Sequence, residues 1–190
     1  MLARSVKRRQ AADRVICAQQ MRGIGDRHPV YPFLTSTDSP TYKESNVNSA
    51  SNIVQYGPPL SLNVARRIAA AAEAEAQRNG WPMVIAIMDS AANLVLLHKM
   101  DHAQTGSVAI AQAKAESTVR FKRPTKMFEE ALAVGGINLR LLATDRACPL
   151  EGGLPVMIDG RIVGAIGVSG MQSTQDALVA ATGVQTIAND

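Results

Sequence analysis

The chain has 190 residues, 46% hydrophobic but only 4% aromatic, enough for one domain whose core is built from Ala, Val, Ile, Leu and Met. Its net charge of +4 sits at one end: residues 1–57 carry eight Lys/Arg against four acids, while residues 58–190 carry twelve of each sign. A formally neutral domain has no field that gathers phosphates, which argues against nucleic acid as a partner, and no run approaches the roughly 20 apolar residues of a membrane-spanning helix.

Met1–Gln20 is Arg-rich with the single acid Asp13, and no apolar run of about 7–15 residues follows it, so a secretory signal is not expected. Cytoplasmic residence is the expectation, with a mitochondrial presequence as the alternative. From Gly23 to Pro59 the sequence is dominated by Ser, Thr, Asn and Pro, a composition that buries too little apolar surface to order itself. Residues 1–57 therefore read as a basic arm, disordered or docked on a neighbouring subunit through Tyr31, Phe33 and Tyr42. The two cysteines, Cys17 and Cys148, lack C-x-x-C spacing and point to neither zinc nor redox chemistry.

Residues 58–190 read as one domain. Ser61 precedes an apolar stripe of Leu62, Ala65, Ile68, Ala69, Ala72 and Ala76 that ends at Asn79-Gly80, which predicts an N-capped helix closed by glycine. Met83–Met88 and Leu94–Leu97 predict a hairpin with both strands substantially buried, its turn taking positive φ at Asn93. Val108, Ala111, Ala115 and Val119 predict a helix over Ser107–Phe121, stopped by Pro124, and a second runs from Thr125 to Ala133 before Gly135-Gly136. Asp159-Gly160, between Leu154–Ile158 and Arg161–Val168, is a two-residue hairpin turn in which both positions favour φ > 0. Gly164 and Gly167 imply that a backbone or a ligand passes close to the second strand. A last helix is capped near Ser173 or Thr174 and turns Ala177, Leu178, Ala181 and Val184 inward. The order α-ββ-αα-ββ-α, with consecutive hairpins, predicts an α/β (α+β) domain with helices packed on an antiparallel sheet.

Several segments carry a resemblance in register: Leu60-Ser-Leu62, Ile85–Asp89, Lys99-Met-Asp101, Gly106–Ala111 with Lys114-Ala115, and Phe121-Lys-Arg-Pro-Thr125. Gly152-Gly-Leu-Pro-Val156, Asp159-Gly160, Val163–Gly170 and Gln175-Asp176 complete it. Together they resemble the haem-degrading GlcG/HbpS-like family, and also the C-terminal domain of some cobalamin adenosyltransferases. The resemblance implies that family's fold, a homo-oligomer built from dimers, and a haem or tetrapyrrole ligand, with weak haem-degrading or iron-linked activity in some relatives. Ala91-Ala92, where the family has glycine, and Ile137–Cys148 depart from the pattern.

Haem iron takes an axial ligand from His, Cys, Met or Tyr. The domain offers His98, at the end of a strand on the Leu94/Leu96 face, and His102, in the following loop beside Met100; each is equally well a packing or interface histidine. His28 lies in the arm, and Cys148 reads as a buried inert thiol. Lys114 and Arg123 are candidates for propionates or another carboxylate, and the helix start after Ser169-Gly170 is a candidate anion site. Together with Gly164 and Gly167 these form the predicted ligand-binding set. The alternative function is an enzyme or accessory subunit acting on a small carboxylate, held by Arg123 and that helix start. There is no nucleophile elbow, and Asp89 and Asp101 sit where turn bonding explains them.

Overall fold

The computed structural model describes residues 53–187; the readings that fall on Met1–Gln20, Cys17, His28, Tyr31, Phe33 and Tyr42 lie outside them. The elements are β1 (Gln55–Tyr56), α1 (Leu62–Arg78), β2 (Val84–Asp89), β3 (Leu94–Lys99), α2 (Ser107–Phe121), α3 (Lys126–Val134), a 3-10 helix (Gly136–Ala143), β4 (Gly153–Ile158), β5 (Arg161–Ser169) and α4 (Ser173–Gln185). The α-ββ-αα-ββ-α order stands, with two additions, β1 and the 3-10 helix.

β5 is the central strand. It pairs antiparallel with β4, from Gly153↔Gly167 to Ile158↔Arg161, and on its other edge with β2, from Val84↔Ser169 to Asp89↔Gly164. β2 in turn pairs antiparallel with β3. β1 runs parallel to β5 at Arg161 and Ile162, taking the stretch of edge that β2 leaves beyond Asp89. β1 thus gives a structured strand inside the segment expected to be an arm. Its Tyr56 hydroxyl donates to the Val119 carbonyl at 2.8 Å, and the Lys122 ammonium lies 4.4 Å over the Tyr56 ring.

Two helices cover one face of the sheet. Ala65, Ile68, Ala69, Ala72 and Ala76 of α1 and Val179 and Ala180 of α4 pack with Met83, Ile85, Ile87, Val156, Ile166 and Val168. The small residues set the spacing: a Cβ on Gly183 would sit 3.0 Å from the Ile68 carbonyl oxygen, so α1 and α4 approach nearly backbone to backbone. On the other face α2 lays Ala111 on Val84 and Ala86, and Ala115 and Val119 on Met88 and Ala165. Among the described residues no helix is long and apolar enough to cross a membrane.

Four local expectations are corrected. The positive φ of the first hairpin falls on Ala92 (φ 63), not Asn93. The reason is Asp89, whose Oδ1 accepts from the amides of Ala91 and Asn93 at 2.8 and 2.9 Å and whose Oδ2 accepts from Asn93 Nδ2 at 3.1 Å; fixing Asn93 leaves the left-handed residue to its neighbour. β3 is only half-buried, because it lies at the end of the strand order with β2 as its one neighbour. The last helix is capped by Gln172 rather than Ser173 or Thr174, in a reciprocal capping box with Gln175. The inward face of α4 also differs: the bond of Asp176 to Lys114 turns Asp176, Val179, Ala180 and Gly183 inward, while Leu178 is 49% exposed and Ala177, Ala181 and Val184 are half-buried. The capping and turn signals hold: Ser61 Oγ accepts from the Val64 amide at 3.3 Å, and Asp159 and Gly160 take φ of 50° and 71°.

Candidate functional site

Lys114, Ser169 and Gly170 converge inside the protein. Lys114 is 2% exposed, and its Nζ donates to Asp176 Oδ2 at 2.7 Å and to the Val168 carbonyl at 2.9 Å. Asp176 Oδ1 accepts from the Met171 amide at 3.1 Å, so the anion position expected at the start of α4 is filled by the chain's own carboxylate. Burial pushes the Asp176 carboxyl above its ordinary range, while Lys114 and the amides of Met171 and Gly170 pull it back.

The glycines around this pair admit protein, not open space. A Cβ on Gly152 (φ 124) would lie 2.9 Å from Lys114 Nζ, and one on Gly170 would lie 2.6 Å from the Pro82 carbonyl oxygen. On Gly164 it would overlap Leu60 and the Met88 carbonyl, and on Gly167 the Ala111 carbonyl. Ser169 Oγ donates to Ser107 Oγ at 3.3 Å. No buried side-chain nitrogen or oxygen among the described residues lacks a partner. The contacts foreseen for a ligand at Lys114, Ser169, Gly170, Gly164 and Gly167 are made by the fold itself. The signal for Lys114 was present in the sequence: it stands three residues after Ala111 and four before Thr118, on the stripe of α2 that faces the sheet.

Arg123 is exposed. Its Nε donates to the Phe121 carbonyl at 3.1 Å, and its guanidinium stands 5.7 Å from the Phe128 ring, leaving donors toward solvent. Cys148 is buried, as expected, and burial pushes its thiol pKa up; its amide donates to Ser117 Oγ at 3.0 Å.

The two histidines lie on the α1 side of the fold. His98 Nδ1 is 2.7 Å from Glu73 Oε2, each side chain about one-third exposed. A carboxylate against one ring nitrogen is the arrangement that orients a ligating imidazole. His102 is exposed and lines a cleft of about 280 Å³ with Trp81, Pro82, Met100 and Gln77. Trp81 and Gln77 were not legible as part of this cleft because they come from the loop after α1 and from its last turn, more than 20 residues away. The loop that places His102 is a tight turn: the Ala103 amide donates to the Met100 carbonyl at 3.2 Å, and His102 takes φ 65. Left-handed backbone at a residue other than glycine is a strain that surrounding structure must hold, and it concentrates at binding sites. Among the described residues no group of three or more His, Cys, Asp or Glu could hold a bare metal ion.

Residues 60–185 match the family model described as haem degrading protein HbpS-like. Protein GlcG of Escherichia coli K12 is 38% identical over 110 residues, 58% of this chain and 81% of that protein. Among solved structures, Klebsiella pneumoniae protein ORFY superposes with a TM-score of 0.67 at 31% identity, covering 74% of this chain and 98% of that one. A PduOC:heme complex superposes at 0.62 with 26% identity, covering 67% and 94%. With the match spanning β2 to β5, all four α-helices and the His102 cleft, the chain belongs to the haem-degrading HbpS-like (GlcG/HbpS-like) family.

Proposed function

We propose that the domain binds haem or a related tetrapyrrole at the cleft between the end of α1 and the β3–α2 loop, with His102 as axial ligand. The observation that carries this reading is the turn that holds His102 beside Met100 and Trp81. An imidazole and a thioether are both axial ligands for haem iron, and an indole supplies a flat apolar wall. A tetrapyrrole brings its own four equatorial nitrogens, so one or two protein ligands suffice where a bare ion would need a larger cluster. The family assignment and the haem complex of a relative support the same ligand.

The cleft, at about 280 Å³, falls just short of the roughly 300–1,000 Å³ that encloses a whole small ligand, so it grips one edge of the ring. The rest of the ring would be covered by a second copy, in keeping with a homo-oligomer built from dimers. His98, held by Glu73, is the second candidate ligand.

Haemin titrated into the full-length protein should give a saturable Soret shift that His102→Ala abolishes and His98→Ala leaves in place. The reverse pattern transfers the ligand role to His98. A flat titration, or a shift that survives both substitutions, overturns the proposal. Haem-degrading activity would appear as loss of the Soret band with iron release when a reductant and oxygen are supplied.

A further inference from the structure

A second concavity lies at the opposite end of the β2–β5 ladder and shares no lining residue with the His102 cleft. The segment before α1, the first turn of α1 and the β4–β5 turn enclose about 490 Å³. The parallel contact of β1 builds it. The Gly57 amide donates to the Ile162 carbonyl at 2.8 Å and the Leu60 amide to the Val163 carbonyl at 3.0 Å, which lays this segment along β5. The two run close together: a Cβ on Gly57 would sit 3.0 Å from Val163 Cγ1 and 3.2 Å from Arg161 Cβ.

The walls are apolar: Pro58, Pro59, Val64, Ile158 and Val163. Arg161 also lines the groove, and its guanidinium has no ion-pair or hydrogen-bond partner among the described residues. Asp159 and Ser61 line the groove as well, and Asp159 makes no ion pair with Arg161. By contrast Arg78, Arg120 and Arg146 each meet a glutamate. The first turn of α1 holds no acid that would compete for the guanidinium. A free fork of donors at the edge of an apolar groove of enclosing size matches one planar anionic head on an apolar tail. Inorganic phosphate would leave the walls unused, and an uncharged lipid would leave the guanidinium unused.

We infer that this groove binds a short-chain aliphatic monocarboxylate, its carboxylate on Arg161 and its alkyl chain along Pro58, Pro59 and Ile158. The inference is independent of the haem reading. Calorimetric titration of the full chain with sodium hexanoate should show binding that weakens roughly fourfold for each methylene removed toward butyrate. Arg161→Gln should weaken hexanoate roughly tenfold or more while leaving uncharged hexanamide unchanged, with Arg161→Lys between the two. Hexanoate should also slow phenylglyoxal modification of Arg161, read by peptide mass. An unaltered melting temperature in Arg161→Gln shows that the fold is intact, and an unaltered haemin titration separates this site from the other. No heat with hexanoate, equal binding to Arg161→Gln, no dependence on chain length, or unprotected Arg161 would each overturn the assignment.

Discussion

Replacing Lys114 by Met tests the energetic centre of the domain. Methionine keeps the length and apolar character of the stem but removes the ammonium, so Asp176, 2% exposed, keeps a buried carboxylate whose only bonds are to backbone amides. Breaking a buried ion pair from one side costs about 3–5 kcal/mol, because the uncompensated charge remains. Against a domain stability of about 5–15 kcal/mol this is a large fraction, and it lowers the melting temperature by about 10–15 °C. The pH dependence carries the sign. Burial raises the Asp176 carboxyl in the folded protein, so the native state binds the proton more readily than the unfolded chain. Its contribution is therefore fully present below the ordinary carboxyl pKa and is lost as pH rises through the folded value. Without Lys114 that folded value moves further up, so the penalty of Lys114→Met is greatest near pH 7 and shrinks on acidification. Lys114→Met/Asp176→Asn, which removes both charges and keeps an acceptor for the Met171 amide, should recover much of the loss. Urea unfolding of the two single variants, the double variant and the parent across pH 4–8 reads all of this. A Lys114→Met penalty under about 1 kcal/mol at pH 7, or one that grows on acidification, would refute the reasoning.

Gly167→Ala places a methyl group on the Ala111 carbonyl oxygen and 2.6 Å from the Ala115 amide, so α2 and β5 must part; a loss of about 1–3 kcal/mol or more is expected in urea unfolding, and a loss below about 0.5 kcal/mol would contradict the packing. Ala92→Gly relieves a left-handed alanine (φ 63) and should stabilise by about 1 kcal/mol, visible as a raised urea midpoint at constant m value; a lowered midpoint would show that the turn conformation differs.

Where one residue decides local structure alone, the sequence was readable. Ser61 and Asn79-Gly80 bound α1, Pro124 stops α2 at Phe121, and Asp159-Gly160 closes the second hairpin, since each acts through a bond or dihedral within a few residues. What escaped depends on partners far along the chain or on competition between neighbours. β1 is two residues long, lies in polar surroundings, and exists because Arg161 and Ile162 offer it a free edge more than a hundred residues later. Asn93 lost the left-handed position to Ala92 because the Asp89 carboxylate claimed it first. Ser173 and Thr174 lost the cap to Gln172, since an amide side chain paired with Gln175 satisfies the same amides reciprocally.

The candidate sites follow a different logic, which explains why the strongest motif was a weak guide to them. Val163–Gly170 is the most recognisable stretch of the chain, and every one of its residues is buried. Its glycines exist because Leu60, Ala111 and Pro82 press against them, and its neighbouring charges, Lys114 and Asp176, satisfy each other. A motif under such packing demands is held by the fold whether or not a ligand is present, and satisfied groups have little left to offer one. Binding needs the opposite condition, polar groups with unused valence beside apolar surface. In this domain that condition is met at His102 beside Met100 and Trp81, and at Arg161 beside Ile158 and the two prolines. Both lie at the ends of strands, where the ladders stop and side chains from distant elements come together, so the sequence names the residues but not their company.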